Sequence, residues 1–112
     1  MPVRLKFPSS ILQINGVRLS TACANLYQKK RKDLTLIELS EGSNVVGVFT
    51  KNLFCAAPVK IAKQHISNFN PRYRLINAGN ANAGTGYQGL LDTKYICQKV
   101  ADLVGCKSTE VL

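Results

Sequence analysis

The residues with the clearest chemical potential lie in a run of small side chains, 77–86, which reads NAGNANAGTG. Its three Asn side chains offer hydrogen-bond donors and acceptors, and its three Gly residues allow the backbone to approach a ligand closely. The same composition is common in turns, and ordering such a loop costs conformational entropy while burying little apolar area. Two interpretations therefore stay open: a tight structural crossing, or a loop whose backbone and amide groups contact a ligand.

Residues 84–89 also match the GxGxxG pattern of dinucleotide-binding proteins. In that fingerprint the glycines directly follow a strand, and a second parallel strand with an acidic residue follows the helix. Here the glycines come well after the strand-like residues that end at Asn77, and only residues 105–112 follow the predicted helix. We interpret this match as accidental.

The remaining residue types that catalyse reactions or bind metals form no recognisable set. The single histidine, His65, has no catalytic partner in sequence and falls on a predicted helix, which favours a partly buried structural role. The four cysteines are scattered without a CxxC pair: Cys23, Cys55, Cys97 and Cys106. We expect reduced, mostly buried thiols, no metal site and no cofactor. Paired carboxylates and Ser-His-Asp or Cys-His sets are also lacking, so no catalytic residue is assigned.

Composition and charge narrow the class of protein. The 112 residues correspond to at most one domain, and 46% hydrophobic against 19% charged residues is typical of a chain with a core. No apolar run approaches the roughly 18 residues that cross a bilayer, and no signal peptide follows the start, so we expect a soluble, cytoplasmic protein.

The net charge of +9 is concentrated in residues 1–74, which hold 12 basic and 3 acidic side chains. Its densest part is the basic cluster, residues 29–32, between two strand-like stretches, where a solvated hairpin turn is the simplest interpretation. The alternative function is a small basic nucleic-acid-binding module. Its phosphate-contacting face would combine the basic cluster with Lys60, Lys63, Arg72 and Arg74.

Several stretches have the composition of β-strands. Residues 17–24 are β-compatible, and residues 34–39 and 45–50 are apolar on both alternating faces. The link at 41–44 contains Gly and Asn, so the latter two stretches are predicted to form an antiparallel pair. A further strand is predicted at 72–77.

Two helices are predicted from residues repeating at helical spacing. The first spans about 57–67, with Pro58 in its first turn, and the second spans 87–104. The spacing of Thr85 and Gln88 predicts a capping box, and Gly105 is expected to end the helix in a left-handed conformation. The fold class is α/β, a partial layered sandwich with a largely antiparallel sheet of about four or five strands and two helices.

Four motifs in order resemble one family: KDLTLI at 32–37, GVFTKN at 47–52, AAPV at 56–59, and the 77–86 loop followed by QG. Together they are similar to the amino-terminal part of the ornithine acetyltransferase (glutamate N-acetyltransferase) family, over about residues 16–112. Ala78 stands where the family usually has Ser, and Gly84 where it usually has Cys. The resemblance implies an α-β-β-α fold of which residues 1–112 form a single, incomplete domain, the amino-terminal part of the alpha chain.

The resemblance also implies an activity. Family members move an acetyl group from N-acetylornithine, and in bifunctional members also from acetyl-CoA, to glutamate. Their precursor cleaves itself before a threonine, which becomes the nucleophile, and a Thr-Gly pair forms the oxyanion hole. In the family both come after the segment resembling 109–112, so no catalytic residue is carried over and the chain alone is expected to be inactive.

The partners and site residues are implied by the same resemblance. The expected partner is the remainder of the chain's own precursor, the beta chain, in a hetero-oligomer of alpha and beta chains, with no nucleic acid and no membrane. Two helices cover only part of a sheet that is apolar on both faces, so exposed apolar patches are expected. The candidate substrate-binding residues are Asn77, Gly79, Asn80 and Asn82, with structural support of the sheet and helix as the alternative role.

Overall fold

The computed structural model describes residue 6, residues 8–26 and residues 30–112. Within these, strands β1 (Val17–Ala22) and β2 (Leu34–Leu39) precede helix α1 (Ala57–Asn68). Strand β3 (Tyr73–Asn77), helix α2 (Gly86–Val104) and a short 3-10 helix (Ser108–Glu110) come next.

The sheet is antiparallel and its strands follow chain order, β1-β2-β3. In the central strand Leu36 pairs with Ser20 of β1 and with Leu75 of β3. The α/β class and the antiparallel sheet are thus confirmed, and the described residues form three named strands rather than four or five. The antiparallel pairing of β1 and β2 fits the predicted hairpin, although Lys29 of its basic cluster lies outside the described residues.

The predicted strand at 45–50 is wrong. A turn does follow β2, with Gly42 at a φ of 80° and a hydrogen bond from Ser43 N to the Ser40 carbonyl of 3.2 Å. However, β1 and β3 already occupy both edges of β2, so no edge remains for a hairpin partner. Residues 45–50 run irregularly, and Val46 and Val48 are fully exposed.

A short segment at the end of the chain pairs in parallel with β3. Val111 forms an isolated parallel bridge with Tyr73. The Leu112 amide donates to the Tyr73 carbonyl (2.8 Å), and the Leu75 amide donates to the Leu112 carbonyl (2.9 Å). Residues 111–112 therefore continue the sheet next to β3.

The core lies between the two helices and one face of the sheet. Its buried side chains come from every layer: Ile61, Tyr73, Cys97, Val100, Ala101 and Val111. Leu36 and Leu75 pack against this cluster, so alternation along the strands places Ile37 and Ile76 on the opposite face. On that face Leu19 is 59% exposed and Ile76 is 42% exposed. The expected uncovered apolar surface is present.

Both predicted helices are confirmed to within one residue at each end. Pro58 lies in the first turn of α1, and Gly105 follows α2 at a φ of 77°, with its amide donating to the Ala101 carbonyl. The predicted capping box of α2 is wrong. Thr85 has a helical conformation and its hydroxyl donates to the Asn82 carbonyl, while Gln88 donates to Asp92 one turn further on. Among the described residues no helix is long and apolar enough to cross a membrane.

Candidate functional site: the Asn-Gly loop and its supports

The loop that links β3 to α2 is fixed to the sheet where it begins. The Ala78 amide donates to the Asp33 carbonyl over 2.9 Å, which ties the loop to the residue just before β2. Gly79 comes next at a φ of 93° and Gly84 closes the loop at 70°, backbone conformations that favour glycine. The chain therefore leaves the sheet, folds on itself and enters α2 within a few residues.

A network of side-chain amides fills the loop. Asn82 Nδ2 donates to Asn77 Oδ1 (3.0 Å), and Asn80 Nδ2 donates to Asn82 Oδ1 (3.4 Å). Asn77 and Asn82 are half-buried, whereas Gly79 and Asn80 are exposed. The structure thus brings the three predicted Asn residues together, with the inner pair shaping the loop and Asn80 facing solvent. Gly79 contributes a turn rather than a side chain.

An open cavity of about 320 Å³ lies at the other end of the loop. Its walls include Phe54, Leu90 and Tyr87, together with the loop residues 84–86. The exposed Lys60 of α1 also contributes to it, so the cavity combines an apolar lining with one cation.

None of the four candidate residues lines this cavity. Sequence reasoning also missed Phe54, Lys60 and Tyr87 as neighbours of the loop. Tyr87 directly follows the loop in the chain, whereas Phe54 and Lys60 lie before β3 and come close to the loop only because α1 packs against α2. The composition of the loop does not predict which residues line the cavity beside it.

Asp33 is a second residue that the sequence did not single out. Its side chain is buried, with 3% exposed. The carboxylate accepts the backbone amides of Ala24 (2.6 Å) and Leu26 (2.7 Å), with Asn25 between them at a φ of 57°. Hydrogen bonds from backbone amides compensate the burial of the charge. The Asp33 side chain therefore binds the chain after β1, and the Asp33 carbonyl binds the Asn-Gly loop. This one residue connects the two segments.

His65 has the structural role expected for it. The residue is 8% exposed, and Nδ1 lies 2.7 Å from the Val111 carbonyl oxygen. Cys97 Sγ lies 3.7 Å from the same oxygen. The hydrogen bond therefore links α1 to the segment beside β3.

The cysteines are all free, as expected, but the prediction that most are buried is wrong. Only Cys97 is buried, Cys23 is exposed, and Cys55 and Cys106 are intermediate. Burial raises the pKa of Cys97 and also that of Cys106. A raised pKa keeps a thiol protonated at neutral pH, which makes both sulfurs poor nucleophiles.

A cluster of charged and aromatic side chains joins the three strands of the sheet. Arg18 forms a salt bridge with Glu38, and its hydrogen bond holds the pKa of Glu38 below the ordinary value. Tyr73 also donates to Glu38 (3.3 Å), and burial raises the Tyr73 pKa. Arg72 lies over the Tyr73 ring and donates to the Leu39 carbonyl. These groups fasten β1, β2 and β3 together.

The basic residues of the nucleic-acid alternative do not form one face. Lys60 and Lys63 lie on α1, which packs with Tyr73 on the core side of the sheet. Alternation along β3 places Arg74 on the opposite side, and Arg72 is half-buried against Leu39. The described residues therefore do not support that alternative.

Comparison with known proteins assigns the chain to a family. The model of the ArgJ family matches residues 18–112, and the chain belongs to that family. Among curated relatives, the arginine biosynthesis bifunctional protein ArgJ of Methylococcus capsulatus is 50% identical over 99 residues, covering 88% of this chain and 24% of the relative. The protein of the same name from Colwellia psychrerythraea is 41% identical, covering the whole chain and 30% of the relative.

Two crystal structures share the fold. The ArgJ protein of Bacillus halodurans superposes with a TM-score of 0.80 at 28% identity, covering 87% of this chain and 51% of its own. The ornithine acetyltransferase of Mycobacterium tuberculosis, complexed with ornithine, superposes with a TM-score of 0.82 at 30% identity, covering 87% and 53%. The chain thus spans about a quarter to a third of the curated relatives, and it corresponds to their amino-terminal portion.

Proposed function

We propose that this chain is the amino-terminal portion of an enzyme that transfers an acetyl group from N-acetylornithine to glutamate in arginine biosynthesis. The observation that carries the proposal is the family match over residues 18–112. The superposition on a structure described as an ornithine acetyltransferase with bound ornithine supports the substrate class. In bifunctional members of the family acetyl-CoA is a second acetyl donor, and the complete enzyme is a candidate for the same second donor.

The part played by these residues is that of a scaffold. The nucleophilic threonine, released by self-cleavage of the precursor, and the Thr-Gly oxyanion pair belong to the remainder of the polypeptide. The chemistry of the described residues supports this division. The buried Cys97 has a raised pKa, and His65 Nδ1 is engaged with a backbone carbonyl.

The partner in this proposal is the remainder of the same precursor, the beta chain, in a cytoplasmic complex of alpha and beta chains. It would cover the apolar face of the sheet to which Leu19 and Ile76 contribute. Exposed apolar side chains of this kind, on one face of a sheet, are typical of surfaces that bury against another layer.

The Asn-Gly loop is proposed to help shape the acyl site. The inner pair Asn77 and Asn82 would hold the loop in shape, while Gly79 and the exposed Asn80 would face the substrate. Backbone and side-chain amides positioned in this way can stabilise a substrate carbonyl or carboxylate.

The proposal is tested by expressing the complete polypeptide and measuring transfer of a labelled acetyl group from N-acetylornithine to glutamate. A matched reaction with acetyl-CoA as the donor shows whether the enzyme uses N-acetylornithine alone or both donors. Transfer from N-acetylornithine is expected, and its absence in a folded, complete polypeptide would refute the assignment. A matched reaction with N-acetyllysine in place of N-acetylornithine is the control for substrate class.

A further inference from the structure

The segment beside β3 is held from two sides. On the inner side, the Leu112 amide donates to the Tyr73 carbonyl and the Leu75 amide donates to the Leu112 carbonyl. The peptide groups of Val111 point away from β3, as alternate residues do along the edge of a parallel ladder. The Val111 amide is satisfied by the Ser108 carbonyl (3.3 Å). The Val111 carbonyl, on the outer side, is satisfied by a helix side chain.

That side chain is His65 of α1. Nδ1 lies 2.7 Å from the Val111 oxygen, and the site is buried: Val111 is 1% exposed and His65 is 8% exposed. A carbonyl oxygen only accepts hydrogen bonds, so Nδ1 must carry the proton. Cys97 of α2 reaches the same oxygen over 3.7 Å, a weak contact. The carbonyl that could pair with another strand is therefore already bonded between the two helices.

We propose that His65 is a positioning residue for acetyl transfer, acting through the Val111 carbonyl. This inference rests on the proposed function, in which the oxyanion pair belongs to the polypeptide that continues from this segment. The Nδ1–H bond fixes the path of the backbone at Val111, and hence the direction in which the polypeptide leaves the sheet. Displacing catalytic groups by about 1 Å can lower a rate about 100-fold even when the altered residue is remote.

Three substitutions in the complete enzyme separate this role from packing alone. In His65→Asn the amide nitrogen is bonded to Cγ, as Nδ1 is, so the donor to Val111 is kept. In His65→Gln the amide nitrogen lies one bond further out, at the level of Nε2, and in His65→Leu the donor is lost. Gln64→Leu, on the neighbouring exposed position of α1, is the matched control. For each variant kcat, KM for N-acetylornithine, the melting temperature and hydrogen exchange of the Leu112 amide are measured.

We expect His65→Leu and His65→Gln to lower kcat by about 10- to 100-fold while KM changes by less than about twofold, because a group that acts in the transition state is displaced. His65→Asn should retain kcat within about threefold, and Gln64→Leu should match the unmodified enzyme. Exchange of the Leu112 amide should accelerate in the two impaired variants and not in His65→Asn.

Unchanged kcat in a folded His65→Leu enzyme, or equal kcat in the Asn and Gln variants, would overturn the inference. If His65→Leu does not fold, the comparison of Asn with Gln decides alone. The two failures are distinguishable: an unmodified enzyme without acetyl transfer refutes the proposed function and this inference with it. An active unmodified enzyme whose kcat is insensitive to His65 refutes only the inference.

Discussion

The amide of Ala78 donates to the carbonyl of Asp33 over 2.9 Å, and the same Asp33 holds the backbone of Ala24 and Leu26 with its buried carboxylate. One residue therefore connects the Asn-Gly loop with the segment after β1. The two loops emerge from the same end of the sheet because β2 begins where β3 ends, with Leu34 paired to Asn77.

Replacing the carboxylate should loosen this connection. In Asp33→Asn one oxygen remains as an acceptor and the other becomes an amide donor facing a backbone N–H. Loss of a charge-assisted hydrogen bond in a buried site should lower the free energy of unfolding by about 1–3 kcal/mol. The free energy of unfolding is measured by urea denaturation, with Asp102→Asn at an exposed position of α2 as the control. A loss no larger than that of the control would contradict the role given to Asp33.

Asn80 tests whether the loop contacts substrate. Its side chain is exposed and makes one long hydrogen bond, to Asn82, so Asn80→Ala should change the melting temperature little. If its amide contacts the substrate, kcat/KM of the complete enzyme should fall about tenfold, the equivalent of one hydrogen bond. Asn68→Ala, at an exposed Asn on α1, is the matched control. A lower melting temperature with unchanged kcat/KM would assign Asn80 to structural support instead.

The core should respond to cavity formation. Ile61 is 4% exposed and contributes to the cluster between α1, α2 and β3. Ile61→Ala should lower the free energy of unfolding by about 2–5 kcal/mol through lost burial and the resulting cavity. Leu103→Ala removes a side chain that is 86% exposed and should change it by less than about 0.5 kcal/mol. Similar losses from the two substitutions would show that the core lies elsewhere.

The Arg18–Glu38 pair predicts a pH dependence of stability. The hydrogen bond from Arg18 lowers the pKa of Glu38 below 4.5 in the folded chain. A lowered pKa means that the stabilisation is present above the ordinary value and is lost as pH falls through the folded value. The difference in unfolding free energy between the wild type and Glu38→Gln should therefore shrink between neutral pH and about pH 3.

A double-mutant cycle identifies the cause of that dependence. When Arg18→Met is introduced into both the wild type and Glu38→Gln, the effect of Glu38→Gln on the unfolding free energy should vary less with pH. The reason is that the main cause of the Glu38 pKa shift is gone. Unfolding free energies measured at both pH values for the four proteins provide the test. An equal pH dependence with and without Arg18 would contradict the assignment.

Local patterns predicted the helices well. The helical repeat of apolar residues placed both to within one residue at each end, and Gly105 marked the end of α2 because its left-handed conformation favours glycine. The predicted capping box is absent because the Thr85 hydroxyl donates to a loop carbonyl, and the sequence does not show whether a hydroxyl will accept from a helix amide or donate to a carbonyl.

Long-range structure was harder to predict. The run at 45–50 has strand composition, but whether it pairs depends on a free edge of β2, and β3, which comes later in the chain, takes that edge. Likewise, the three Asn residues were visible as a group, whereas Asp33, Phe54 and Lys60 reach the loop only through tertiary packing. Sequence pattern thus located the loop but not its surroundings.

The most direct test of the account compares the 112-residue chain with the complete polypeptide in acetyl transfer from N-acetylornithine to glutamate. We predict transfer by the complete polypeptide, none by the 112 residues alone, and partial recovery when these residues are co-expressed with the remainder. Recovery should be lost when Leu19→Lys places a charge on the apolar face of the sheet, and retained with Leu103→Lys at an exposed position of α2. Sustained turnover by the 112 residues alone would contradict the central claim that they are a scaffold without a nucleophile.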